Sequence, residues 1–331
     1  MHTDPANRRL FIKQGSLALL TLAAHQTAFA QTMLEQLHLL CSGPAGSIPD
    51  IIARRIAEPL GGRLARHVNV DNRPGAAGQI AVNALLAGPA DGSTLLLAQG
   101  AIATVYPYLY PKLAYDAAAD LQPVSLAGEM TLGLAVGPAV PESVVDVRGF
   151  IDWMRRYPKL ANVASPGTGT LPHLPEVMLF READVPWQHI VYSGGPPAMV
   201  DLLGGQVAAL VLPEGLLRQH HTSGKLRVLA TSGAQRTGFL PAVPTFVEQG
   251  WRKLVVREWF AFFMSTRVPA STAAATAQTL RAAIERPEVQ TAFADAGMVA
   301  MASTPAALVA RIAAEQGPWE SIIRAANVRV E

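Results

Sequence analysis

Two glycine-rich loops offer binding chemistry that needs no reactive side chain. Residues 43–49 and 165–171 each follow an apolar strand pattern and precede a helical one. Glycine lets the backbone approach a ligand closely, and the first N–H groups of a helix have no partner inside it. Together with the helix dipole, such donors favour a carboxylate or a phosphate. Either loop also reads as a tight turn without a ligand. Asp50 fits a helix cap or a ligand contact. His173, opening the helix after the second loop, fits a core or capping role, a ligand contact or a general base. Nucleotide and nucleophile patterns do not fit. Residues 167–172 break the GxGxxG spacing at its last glycine, and no GxxxxGK[ST] occurs. Ser165 has Val163 where a GxSxG elbow needs glycine. His220 and His221 are adjacent, so on a helix they point to different faces and cannot clamp one metal. The single cysteine, Cys41, excludes an internal disulfide and thiolate metal clusters. No catalytic residue, metal site or cofactor is expected.

Strands and helices alternate around these loops. Residues 37–40, 68–70, 94–98, 132–136, 162–164, 188–192, 206–212, 226–231 and 259–264 read as strands. After Asp50, the residues Ile52, Ile56, Leu60 and Leu64 recur at four-residue spacing, which predicts a helix that Pro59 should kink. Further helices are expected up to Leu86, over Phe150–Arg156, and over 172–183, 198–203, 214–222, 271–284, 287–296 and 304–325. Thr245 to Glu248 has capping-box spacing, with Gly250 closing a short helix. Ser303 and Thr304 precede Pro305, an N-cap followed by proline in the first turn. Repeated strand–loop–helix units of this kind mark an α/β protein with a mostly parallel sheet.

The 331 residues suffice for about two domains. Half are hydrophobic and 16% are charged, which excludes a disordered chain. With 27 basic against 25 acidic residues there is no basic excess, so no nucleic-acid partner is expected. Residues 1–30 have the anatomy of a secretory signal: Arg8, Arg9 and Lys13, an apolar run from Gly15 to Ala24, then Ala28-Phe29-Ala30. The run Arg8 to Lys13 is similar to a twin-arginine export signal. Cys41 lacks the small residues that precede a lipid anchor. Without residues 1–30 the chain carries 24 residues of each sign. After residue 30 no stretch of about 20 apolar residues runs unbroken, so no transmembrane helix is expected.

Longer runs carry a family resemblance. They include Pro49 to Arg54, Val70 to Gly78, Asp91 to Leu97, Leu109 to Asp116, Ser165 to Gly169 and Asp201 to Val207. Gly224 to Ala230, Pro241 to Gly250 and Arg257 to Phe260 follow in order. From about residue 37 to the C-terminus the chain resembles the Bug-type extracytoplasmic solute receptors of tripartite tricarboxylate transporters. The resemblance implies a two-lobed periplasmic binding protein of the type II, Venus-flytrap kind, each lobe a central sheet flanked by helices. Residues 31–131 plus 258–331 would form one lobe and 132–257 the other, with hinge crossings near Thr131 and Glu258. Such a receptor is periplasmic, monomeric and not an enzyme. It captures a small carboxylate between its lobes and delivers it to membrane subunits of the transporter, or signals to a sensor kinase. The implied ligand contacts are Ala45, Gly46, Ser47 and Ile48 in one lobe, and Ser165, Gly167, Thr168, Gly169 and Thr170 in the other. Asp50, His173, Tyr192 and Glu214 complete the candidate set.

The chain departs from its relatives in three places. Tyr106-Pro107 stands where they often have Asn-Pro; its tyrosine either projects into the cleft or fills a core. Val191 to Gly195 lacks a lysine common there, which lowers the expectation of a doubly or triply charged acid. An aspartate often found after Val207 is absent, which weakens recognition of an ammonium group unless Glu214 replaces it. These changes point toward a monocarboxylate or an aromatic acid. Two other readings are a secreted hydrolase of carboxylate esters using His173 and a serine, and a partner protein that binds no small ligand.

Overall fold

The apolar runs and helical stripes take their places in a computed structural model that describes residues 33–326. The signal segment expected at 1–30 lies outside the described residues. The chain begins β1 (Leu34–Cys41), α1 (Ile48–Leu60), β2 (Ala65–Asn72), α2 (Gln79–Ala87) and β3 (Thr94–Gln99), then enters a long strand, β4 (Leu121–Val136). The middle runs α3 (Val147–Arg156), β5 (Asn162–Ser165), α4 (His173–Glu182), β6 (Gln188–Val191), α5 (Gly195–Leu203), β7 (Ala209–Pro213), α6 (Glu214–Thr222) and β8 (Arg227–Thr231). The chain returns through β9 (Arg257–Ser265), α7 (Ala270–Ile284), α8 (Pro287–Asp295), β10 (Val299–Ala300) and α9 (Pro305–Ala326).

The strands are ordered β2-β1-β3-β9-β4-β7-β5-β6, with β8 and β10 also pairing with β4. Parallel pairing is confined to the two wings: β2-β1-β3 on one side, β7-β5-β6 on the other. Every pairing made by β4 or β9 is antiparallel, so the sheet is mixed where a mostly parallel one was expected. The reason is connectivity: these two strands carry the chain from one wing to the other and back. β4 also starts eleven residues before the expected 132–136. Its first part, Leu121–Thr131, pairs with β9, and Leu132–Val136 pairs with β7. Pro123, Ser125, Gly128 and Glu129 disguise that part in the sequence, and two register shifts absorb them.

Core packing follows the patterns closely. Ile52, Ile56 and Leu60 of α1 are fully buried, each worth about 1.5–3 kcal/mol by removal from water. Pro59 is the penultimate residue of α1, so it ends the helix instead of kinking it. Strand β3 is buried at every position, as a strand covered on both faces must be. Thr304 caps α9 by accepting the Ala307 N–H at 3.1 Å, while Ser303 is tied to Ser125 and Leu126 of β4. Both capping-box bonds of Thr245 and Glu248 form, at 2.7 and 3.1 Å, yet the segment stays a turn. There the buried Phe246 donates its N–H to Thr231 and binds the segment to β8, so no helix propagates.

At the crossing, α9 locks one face of the chain. Glu129 of β4 pairs with Arg257 of β9 and, at 2.9 Å, with Arg311 of α9. Arg311 lies 5.0 Å over the Trp259 ring, whose indole N–H donates to Glu315 at 2.8 Å. On another side, α6 touches the turn between α8 and β10. A Cβ on Gly215 would lie 1.8 Å from the Ala296 carbonyl oxygen, so only glycine allows this approach. Gly215→Ala is therefore expected to cost about 1–3 kcal/mol, read from the urea midpoint. An unchanged midpoint would mean that the approach relaxes freely.

Candidate functional site

A cavity of about 550 Å³ opens where the two wings face each other. That size suits a small-molecule ligand. Three helix starts border it: Ser47 and Ile48 at α1, Thr170 and Pro172 before α4, and Gly194 and Gly195 at α5. The loop Pro74–Gln79, leading into α2, forms another wall. Gln99, Glu258 and Phe260 complete the lining between them. No lysine, arginine or histidine of the described residues lines the cavity.

Each loop is fixed by hydrogen bonds within it, from Ser47 and Thr170, and from behind by Asp50 and His173, which do not line the cavity. In the first, Ser47 Oγ donates to the Pro44 carbonyl at 2.6 Å, and Asp50 Oδ2 accepts the Gly46 N–H at 2.9 Å. Asp50 also takes Arg54 and Asn72, each at 2.9 Å. Burial pushes its carboxyl up, but these three partners outweigh that and hold it below the usual carboxylate range. Asp50 is thus the third residue of α1, not its cap; Ser47 holds the cap position. In the second loop, Thr170 Oγ1 donates to the Gly167 carbonyl at 2.7 Å, and the Gly169 N–H donates to His173 Nδ1 at 3.1 Å. The His173 ring stacks on His189 at 4.0 Å. Burial pushes His173 down to about 3, with His189 adding to the effect, and burial alone pushes His189 down to about 4. Accepting the Gly169 N–H requires a neutral ring, which these shifts secure.

What remains free in these loops are donors. The N–H groups of Ile48, Thr168 and Gly195 make no hydrogen bond among the described residues, and all three residues line the cavity. Ile48 and Gly195 open α1 and α5, whose positive dipole ends border the cavity, while Thr168 lies in the loop five residues before α4. The arrangement can bind an anion through the main chain. Gly194, at φ +137°, has room for no side chain because Pro44 of the facing loop stands 2.7 Å from where a Cβ would be. Tyr110 Oη bridges the cavity as well, donating to the Thr168 carbonyl at 3.1 Å.

Of the candidate residues, Ser47, Ile48, Gly167, Thr168, Thr170 and Tyr192 line the cavity. Ala45 and Gly46 are exposed and do not line it. Asp50, Ser165, Gly169 and His173 are buried behind the walls. Glu214 is 1% exposed and accepts from Thr237 at 2.8 Å, away from the cavity. Tyr192 turns its hydroxyl away to Asp201 at 2.6 Å. Tyr106 fills the core; its hydroxyl donates at 2.8 Å to the carbonyl of Ala77, a residue of the lining loop. Val191 and Ser193 both line the cavity. The serine–histidine pair present is Ser165 with His189, at 2.7 Å, not a serine with His173. Ser165 is wholly buried, so this pair has no access to a substrate. Reading the sequence missed Gln99, Tyr110, Glu258, Phe260 and the 74–79 loop. Two of them lay in plain view in the run Arg257 to Phe260, but an acid opening a strand carries no mark of burial.

Comparison with known proteins gives a consistent result. The family described as "Tripartite tricarboxylate transporter family receptor" matches residues 52–328. BugT of Bordetella pertussis is 32% identical over 289 residues, covering 87% of this chain and 88% of that protein. A protein encoded in the tcbD-tcbE intergenic region of Pseudomonas sp. strain P51 is 30% identical over 281 residues, covering 85% and 83%. The structure of periplasmic binding protein BugD superposes with a TM-score of 0.83 at 25% identity, covering 89% of this chain and 98% of that one. MatC from Rhodopseudomonas palustris, solved with malate, shares the fold at a TM-score of 0.81 and 24% identity, covering 87% and 98%.

The His173 brace makes loop stability depend on pH. An unfolded histidine takes a proton near pH 6.5, whereas folded His173 takes one only near 3. Between those values the unfolded state holds the extra proton, so this residue's contribution is complete above about pH 6.5 and falls as pH drops, by roughly 1.4 kcal/mol per unit. Buried Glu176 and Glu258 are shifted up by burial and act in the opposite direction. The test is therefore the difference between wild type and His173→Gln in urea midpoints at pH 7.5, 6 and 5. The variant should lose less stability on acidification; equal losses would remove His173 from this role.

Proposed function

The chain belongs to the family of tripartite tricarboxylate transporter receptors, and on that footing we propose that it captures a small carboxylate in the cavity between its two wings. It is a receptor, not an enzyme. The observation that carries the proposal is the set of free backbone donors at Ile48, Thr168 and Gly195, presented from both wings to one space. A carboxylate accepts several such bonds at once, and bonds to an ionised acceptor are the strong kind. The family's structural neighbours include R. palustris proteins solved with malate and with adipate, which supports this ligand class.

In this reading residues 31–131 with 258–331, and residues 132–257, are two lobes that hinge where β4 and β9 cross. The Tyr110 bond to Thr168 and the packing of Gly194 on Pro44 are then closure contacts. Closure around a ligand is the expected motion of such a receptor. The mature protein works in the periplasm after export through its twin-arginine signal. It acts as a monomer and hands the ligand to the membrane subunits of a tripartite transporter.

The test is a thermal-shift and calorimetric screen of residues 31–331 against small carboxylates and amino acids. A ligand at 100 times its dissociation constant should stabilise the protein by about 2.7 kcal/mol. Thr168→Asp and Ser193→Asp, which put a negative charge into the cavity at side chains that are not buried, should weaken binding at least about tenfold. Their ligand-free melting temperatures should stay near the wild-type value. A protein free of co-purified ligand that no carboxylate stabilises would end the proposal.

A further inference from the structure

Backbone donors account for half of the cavity's chemistry and leave one acceptor unexplained. Glu258 lines the cavity and is 3% exposed. Its carboxyl makes no hydrogen bond or ion pair with any described residue, and burial alone pushes it up to about 8. Such a group is costly to keep without a partner. Successive residues of a strand face opposite sides. Trp259 is taken by Glu315 and Arg311 on the α9 side, which leaves Glu258 and Phe260 together on the cavity side of β9. Phe260 is 6% exposed and lines the cavity beside it. The other ionisable lining groups are Tyr110 and Tyr192, whose hydroxyls already donate to the Thr168 carbonyl and to Asp201. Glu214, the one acid named as a substitute in recognising an ammonium group, accepts from Thr237 and does not line the cavity.

With a purely acidic ligand held by the helix starts, burial keeps Glu258 mostly uncharged at neutral pH and its carboxyl stays without a partner. A protonated amine supplies what is missing, namely opposite charge and several N–H donors. It also gains from the face of a neighbouring aromatic ring. We infer that Glu258 and Phe260 form a cation subsite in this cavity, so that the ligand is a zwitterion carrying a protonated amine as well as a carboxylate. This rests on the receptor reading above and replaces the expectation of a simple monocarboxylate or aromatic acid.

The experiment is calorimetry at pH 7 with matched pairs that differ only in the amine: alanine and propionate, glutamate and glutarate, 4-aminobutyrate and butyrate. In the pair that binds, the amine-bearing member should bind at least about tenfold tighter to wild type. Glu258→Gln should remove that preference, weakening the amine-bearing member at least about tenfold. The variant's melting temperature, expected at or above wild type, confirms that it folds. Phe260→Leu should reduce the preference by less. If the amine-free acid binds wild type as tightly as its partner, or if Glu258→Gln keeps the preference, the inference is overturned and the receptor reading stands. If no member of any pair binds, the inference is overturned, and the wider carboxylate screen decides the receptor reading separately.

Discussion

The site depends on a mismatch built into every α-helix: its first N–H groups have no acceptor within it. A parallel β–loop–α unit places those groups just beyond the end of its strand. Here β1 leads to α1, β5 to α4 and β6 to α5, and all three helix starts border one cavity. The parallel wings are thus arranged end against end, with their helix starts converging. Each start carries the equivalent of about half a positive charge. Convergence of several makes a positive region without a single basic side chain, at a place where lysine or arginine would need its own counterion.

Such an arrangement works only if loop geometry is held while the donors stay free. The structure separates the two tasks. Asp50, His173 and Tyr106 are buried behind the walls and spend their polar atoms on loop backbone, at Gly46, Gly169 and Ala77. The antiparallel pair β4 and β9 has a different role. It ties the wings together and presents alternate residues to two environments, Trp259 to the ion network under α9 and Glu258 to the cavity. One strand thereby belongs to the joint and to the cavity at once.

Much of this is legible in the sequence because it rests on local rules. The four-residue spacing of Ile52, Ile56 and Leu60 gives α1, and glycine between a strand and a helix gives the loops. The long strand β4 was harder. Pro123, Ser125, Gly128 and Glu129 look like a loop, and only pairing with β9, more than a hundred residues on, makes them a strand. Capping-box spacing at Thr245 predicts the hydrogen bonds that form but not the conformation, because a tertiary bond to Thr231 decides that. The candidate contacts divided along the same line. Residues in the loops can be chosen by type, whereas the cavity-facing side of β9 is set by which neighbour claims Trp259. No spacing rule reaches that far.

Free donors on the main chain have an evolutionary consequence. A substitution at Ile48 or Thr168 changes a side chain and leaves its amide in place; only proline removes the N–H. In the proposed binding mode, ordinary point mutation therefore leaves these donors in place. Side chains at Val191, Ser193, Glu258 and Phe260 vary without that protection, and each meets the cavity directly. With the carboxylate held as proposed, a scaffold of this kind can change what it holds while keeping its grip on the part its cargoes share.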